Sequence, residues 1–161
     1  MTACGAGPTL KTMRLIVTAV FVATLAGAPV ADAADSPIGT YQKKVEGGQP
    51  AMTMKIEEWA PGKAKLTYHI KDPPIVLTVL SALDGTEAPV LMNGKPSGET
   101  MAIKLIDKLH SSTVVKMDGK PFGTSKGTFS PDFKTLTVEN DFSTSAGGNK
   151  PGKSTEIWVR K

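Results

Sequence analysis

Apolar and polar residues alternate with a period of two along most of the chain after about residue 50. The alternation is clearest in Met52–Glu57, Lys65–Lys71, Ser112–Met117, Leu136–Phe142 and Glu156–Arg160. Such alternation is typical of β-strands that have one buried and one solvent-facing side. The segment from Ile75 to Leu83 is apolar on both faces and predicts a more deeply buried strand.

Turn dipeptides divide these strands. Asp84-Gly85, Asn93-Gly94 and Asp118-Gly119 carry residues that adopt positive φ at hairpin turns. Turn signals recur about every 8 to 12 residues, the spacing expected of an all-β sandwich or barrel. We therefore expect an all-β domain: a single antiparallel up-and-down β-barrel of about 8–10 strands, closed because closure removes exposed strand edges.

The segment from Thr100 to His110 has two interpretations. Met101, Leu105 and Leu109 have the spacing of a helical stripe, in residues that form helices well. Met101, Ile103 and Leu105 also alternate cleanly. We favour a strand, because the neighbouring segments are strands joined by short loops.

The N-terminus has the layout of a secretory signal. Lys11 and Arg14 precede an apolar run from Leu15 to about Ala28, and Pro29 ends that run. Ala31-Asp32-Ala33 then supplies the small residues that a signal peptidase needs. We expect a cleaved signal peptide over residues 1–33, a single barrel domain over residues 34–161, and a periplasmic or secreted location.

The apolar run is about 14 residues long, shorter than the roughly 20 that span a bilayer. No stable membrane insertion is therefore expected after signal cleavage. Met13 is an alternative start that leaves this expectation unchanged. Cys4 is the sole cysteine and leaves with the signal, so the secreted domain would hold no disulfide and no thiol nucleophile.

The formal net charge of +4 comes from lysines scattered along the chain, which does not indicate a nucleic-acid partner. Residues Gly123–Gly127 match G-x-S-x-G, but they lie in an alternating stretch with no helix after them, so a nucleophile elbow is not expected. The two histidines, His69 and His110, lack the spacing of a zinc site. We expect no catalytic residues, no metal and no cofactor.

Met52 and Met54 share one strand face and leave a second possibility open. Paired thioethers can bind Cu(I). Methionines also fill irregular space in hydrophobic cores, and we favour this explanation because no third soft ligand lies nearby in sequence.

Four stretches together resemble exported bacterial lipocalin-like proteins, small calycin-type barrels that are mostly uncharacterised. They are Gly39–Tyr41, Asp118–Pro121, Ser130–Val138 and Ile157–Lys161. The resemblance covers roughly residues 38 to 161 and implies a lipocalin/fatty-acid-binding-protein-like fold.

The resemblance also implies details at both ends of the domain. Tyr41 holds the place of the first-strand tryptophan of lipocalins, and Arg160 is expected to stack on it. The Arg-x-Tyr pair that holds a carboxylate in fatty-acid-binding proteins is missing from the last strand. Only Glu46 to Pro50 separates the first two strands, too few residues for a helical lid. Fatty-acid capture by that mechanism is therefore not expected.

The alternation also predicts which residues face the barrel lumen and could contact a ligand: Met54, Ile56, Leu66, Tyr68, Leu77, Met101, Ile103, Val115 and Met117. The set is aliphatic, rich in methionine and uncharged, which suits a small hydrophobic molecule better than an anion. A ligand-binding carrier is the leading hypothesis. The alternatives are a non-catalytic envelope module that binds an unknown protein partner and, less favoured, an enzyme of unrecognised type.

Overall fold

The structure, a computed structural model, describes residues 36–45, 51–143 and 151–161. These residues form ten strands: β1 Gly39–Lys43, β2 Met52–Ala60, β3 Lys63–Ile70, β4 Ile75–Ser81, β5 Asp84–Met92, β6 Lys95–Leu105, β7 His110–Met117, β8 Lys120–Phe129, β9 Thr135–Phe142 and β10 Gly152–Arg160. The expected signal peptide, its cleavage site at Ala33 and the connection over residues 46–50 lie outside the described residues.

Every strand pairs antiparallel with its neighbours in sequence, and β1 closes the barrel by pairing with β10. In that closing pair Tyr41 lies opposite Arg160, and on its other side Tyr41 lies opposite Met54 of β2. The ten strands of the described residues thus form a closed ring without an edge strand. The expected all-β, up-and-down barrel is confirmed, with a strand count at the upper end of the predicted range.

The strand interpretation of Thr100–His110 is confirmed as far as Leu105, where β6 ends. Asp107 explains the turn that follows. Its Oδ1 accepts hydrogen bonds from the backbone N–H groups of Leu109 and His110, at 2.8 and 2.9 Å. A short polar side chain that bonds its own neighbouring backbone favours a turn over a continuing helix.

Aromatic side chains close part of one end of the barrel. The rings of Tyr41 and Phe133 are fully buried, and Phe129 lies between them at centroid distances of 5.9 and 5.5 Å. The Tyr41 hydroxyl donates to the Phe133 carbonyl oxygen at 3.1 Å. Phe133 itself follows a turn and has a φ of 52°. The turn between β8 and β9 therefore folds back over the end of the barrel.

Arg160 holds the N-terminal segment against this end. Its guanidinium carbon lies 5.9 Å from the centroid of the Tyr41 ring, within the range of a cation–π contact. The same group donates to the carbonyl oxygens of Ser36, at 3.0 Å, and Ile38. The stacking expected from the lipocalin resemblance is confirmed.

Gly123 of β8 leaves no room for a side chain. A Cβ added there would overlap Phe142 Cδ1 and would lie 2.7 Å from the carbonyl oxygen of Asp141, a backbone atom that cannot move aside. We expect Gly123→Ala to lower the free energy of unfolding by about 1–3 kcal/mol, as measured by chemical denaturation.

Gly127 in the same strand provides the control. There an added Cβ would meet the Ser111 hydroxyl at 2.6 Å, a group that can rotate away. Gly127→Ala should therefore change the free energy of unfolding by less than about 1 kcal/mol, because the reduced freedom of the unfolded chain offsets a small clash. Equal losses in the two variants would contradict this explanation of β8.

Candidate functional site

A cavity of about 500 Å³ lies inside the barrel. Its volume falls within the range of roughly 300–1,000 Å³ that is usual for small-molecule sites. Its wall is mainly aliphatic and aromatic, and it is formed by inward-facing residues of most strands. Such a wall suits the body of an apolar ligand.

All but one of the residues predicted to face the lumen lie on the cavity wall: Met54, Ile56, Leu66, Tyr68, Leu77, Met101, Ile103 and Val115. Met117 does not line it; its side chain packs against the buried cluster of Val115, Phe122 and Phe142. Contact between these residues and a ligand stays a prediction.

The inward-facing side chains do not fill the lumen. Leu66, Leu77 and Met101 point inward and line the cavity, yet each keeps accessible surface. Fully packed residues elsewhere in the barrel, such as Val79 and Val90, are 0% exposed. The accessible surface of the first group faces an internal space, because a close-packed core would have covered it.

The cavity meets solvent at the end of the barrel that carries the β2–β3 and β6–β7 turns. Among its lining residues, Glu58 and Lys63 are exposed near the first turn, and Leu105 and Lys108 are exposed at the second. We call this opening the mouth. Phe133 and its aromatic neighbours close another part of the same end, so the mouth lies between these two turns.

The wall also contains polar groups that the hydrophobic pattern did not identify. Glu99, Ser125, Asn140 and Glu156 all line the cavity. The Ser125 hydroxyl donates to Asn140 Oδ1 at 2.7 Å, so these two neutral groups satisfy each other. Besides Glu57 and Glu58 at the mouth, two carboxyl groups therefore lie deeper in a lumen that the sequence predicted to be uncharged.

A sequence signal exists for Glu99, because Met101 was predicted to face the lumen; the corresponding signal for Glu156 appears only once the structure shows that Trp158 faces inward. Glu99 stands two residues before Met101 in β6, and Glu156 stands two residues before Trp158 in β10. Alternate residues of a strand share a face, so each glutamate is in phase with a lumen-facing residue. The two glutamates are missed when only apolar residues are assigned to the lumen.

Glu156 is neutralised by a cation within the barrel wall. Lys43 Nζ donates to Glu156 Oε1 at 2.8 Å, and these side chains are 7% and 12% exposed. The indole Nε1–H of Trp158 donates to the other carboxylate oxygen at 3.1 Å. A buried carboxylate needs such partners, because desolvation otherwise penalises its charge.

Glu99 has no comparable partner. Among the described residues, none forms a hydrogen bond or an ion pair with its side chain. Burial raises the pKa of the Glu99 carboxyl above its ordinary value of 4.5. The neighbouring Tyr68 hydroxyl has a raised pKa as well, first because of its burial and then because of the negative charges of Glu156 and Glu99. These groups thus share one electronegative region of the lumen.

The raised pKa of Glu99 has a consequence for stability. Between pH 4.5 and the raised value, the folded state binds more protons at this group than the unfolded state does. The contribution of Glu99 to stability is therefore lost as the pH rises through that window. We expect Glu99→Gln to gain stability relative to the parent as the pH rises from about 4 to about 8, as measured by denaturation at each pH. A constant difference between the two proteins would contradict this.

Both histidines are exposed. His110 Nδ1 lies 2.8 Å from Asp107 in an exposed turn, and His69 is exposed on β3. Residues 36–45, 51–143 and 151–161 contain no group of three or more histidine, cysteine or acidic residues that could hold a metal ion. In the same ranges no helix is long and apolar enough to cross a membrane.

A closed up-and-down barrel with an apolar lumen is the architecture of lipocalin/fatty-acid-binding-protein-like proteins. A crystal structure of a mutant of the fluorescent protein UnaG has a similar fold, with a TM-score of 0.54 and 14% sequence identity. The alignment covers 77% of this chain and 95% of that chain. No family model and no curated protein matches the sequence. The likeness to UnaG shows the fold alone.

Proposed function

We propose that this protein is a carrier that binds one small, mainly apolar molecule inside the barrel. The observation that carries the proposal is the unfilled cavity of about 500 Å³, whose wall is formed by inward-facing Leu66, Leu77 and Met101. Burial of apolar ligand surface contributes about 25 cal/mol for each Å² removed from water. A cavity of this size can thus bind an apolar ligand with useful affinity, and binding needs no catalytic group.

We further propose that the carrier works outside the cytoplasm, as a periplasmic or secreted protein. The N-terminal pattern of basic residues, apolar run and Ala31-Asp32-Ala33 supports this proposal. Expression of the full chain in an exporting host should yield a mature protein that starts at Ala34, give or take one residue, as measured by N-terminal sequencing. A retained intact N-terminus would overturn the proposal of export.

A second candidate function, a protein-interaction module, is favoured by one observation. Large apolar side chains are exposed around the mouth, namely Ile38, Trp59, Leu105 and Ile106, and the exposed fraction reaches 58% at Ile106. Exposed apolar patches often mark protein contacts. Lys63 partly covers Trp59 by a cation–π contact at 5.5 Å.

Native mass spectrometry of protein purified from the envelope of its own host distinguishes these functions. A carrier should retain a small molecule at one copy per chain, and mild denaturation should release it. A co-purifying polypeptide without any small molecule would overturn the carrier and favour the interaction module. Protein refolded from denaturant, which has lost its bound molecules, provides the mass of the empty chain.

A further inference from the structure

Glu99 lies far from the mouth. It is six positions before Leu105 on β6, and a strand rises about 3.3 Å per residue, so the two positions are roughly 20 Å apart along the barrel. The wall between them carries Met101 and Ile103. A ligand that reaches from the mouth to Glu99 therefore needs an elongated apolar body.

The charges around the cavity are distributed unevenly. Two lysines, Lys63 and Lys108, and two glutamates, Glu57 and Glu58, line it at the mouth, so the charges there balance. Lys43 is already paired with Glu156. Among the described residues that line the cavity, no cation lies next to Glu99. In the inner part of the cavity, Glu99 is thus an acidic group that no lining cation offsets.

A ligand group placed beside Glu99 meets a carboxyl group in surroundings of low dielectric constant. A second carboxylate there would be repelled, and the repulsion would be stronger than in water. A protonated amine would form a charge-assisted hydrogen bond, which is about twice as strong as a neutral one. The hydroxyl of Tyr68, which has no hydrogen-bond partner among the described residues, is an additional acceptor for the ammonium group.

We propose that the ligand is a basic amphiphile: its apolar body occupies the cavity, and its protonated amine binds Glu99 with help from the Tyr68 hydroxyl. This inference rests on the proposed carrier function and specifies its ligand class. It also refines the expectation of a small hydrophobic ligand, which depended on a lumen without charged residues. The expected ligand class changes because the carboxyl group of Glu99 lies in the lumen.

The test uses three ligands with the same chain and different head groups: dodecylamine, dodecanol and dodecanoic acid. Each is titrated below its micelle concentration against the purified protein that holds an apolar fluorescent dye, and displacement of the dye is measured at neutral pH. We expect the amine to bind at least ten-fold more tightly than the acid and more tightly than the alcohol.

Glu99→Gln should lower the affinity for dodecylamine at least ten-fold, a much larger change than in the affinities for dodecanol and the dye. Glu139→Gln is the matched control, because it removes the same charge from an exposed position on β9. Its affinity for dodecylamine should equal that of the parent. Circular dichroism and the unfolding midpoint of each variant verify that it is folded.

The outcomes separate this inference from the carrier function. If the dye and dodecanol bind but the acid is preferred, with its carboxylate held by the mouth lysines Lys63 and Lys108, the basic-amphiphile inference is overturned and the carrier stands. The inference is likewise overturned, and the carrier retained, if Glu99→Gln leaves dodecylamine binding unchanged. If neither the dye nor any of the three ligands binds, the carrier function itself fails.

Discussion

Replacing Met101 with tryptophan should lower the affinity for an apolar dye at least ten-fold and leave the barrel folded. Met101 points into the cavity from β6 and keeps accessible surface there. An indole ring at this position would occupy space that the ligand needs. Because the cavity is open, the larger side chain need not displace its neighbours. The measurements are dye titration and the denaturation midpoint.

Val114→Trp is the matched control for this variant. Val114 lies on the outer face of β7 and is 42% exposed, so the same ring is added outside the barrel. Its dye affinity should equal that of the parent. In a filled core, Met101→Trp would instead cost about 1–3 kcal/mol by overpacking, and the parent would have no dye binding to lose. That pair of results would contradict the existence of an open cavity.

Replacing Phe133 with alanine should lower the free energy of unfolding by about 3–5 kcal/mol, the range typical of a buried aromatic residue. Phe133 is 0% exposed and packs on Phe129 with ring centroids 5.5 Å apart. Its backbone carbonyl also accepts the Tyr41 hydroxyl, so loss of the ring loosens a buried hydrogen bond. Chemical denaturation measures the change.

Ile106→Ala provides the comparison, because Ile106 is 58% exposed in the turn after β6. Ile106→Ala should change the free energy of unfolding by no more than about 0.5 kcal/mol. Phe133 does not line the cavity, so Phe133→Ala should retain dye affinity wherever it is folded. A small loss of stability together with a large loss of dye binding would show that Phe133 belongs to the ligand site and not to the aromatic cluster that closes part of this end.

Much of the barrel could be predicted from the sequence, because strand period and turn chemistry are local properties. Alternation alone assigns Met54, Leu66 and Val115 to the lumen, and the structure places each of them on the cavity wall. The choice between strand and helix at Thr100–His110 is harder. The hydrogen bonds of Asp107 that end β6 depend on a side chain, which a hydrophobic period does not describe.

The polar residues of the lumen could not be predicted in the same way. Burial of Glu156 depends on Lys43, which is 113 positions away in sequence and becomes its neighbour only when β1 pairs with β10. The last strand shows the same limit. Hydrophobicity alone would assign Ile157 to the interior. In the structure Ile157 is 39% exposed, and its neighbour Trp158 is the buried residue, at 2% exposed.

Trp158 provides the most direct test of the central claim that the lumen holds a ligand. It lines the cavity and is 2% exposed, whereas Trp59, the other of the two tryptophans, is 47% exposed. Trp59→Phe leaves Trp158 as the only tryptophan donor for energy transfer to an apolar dye. We expect transfer that saturates at one dye per chain and is reversed by excess dodecanol. Absence of transfer, or transfer that rises without saturation and ignores dodecanol, would contradict a ligand-binding lumen.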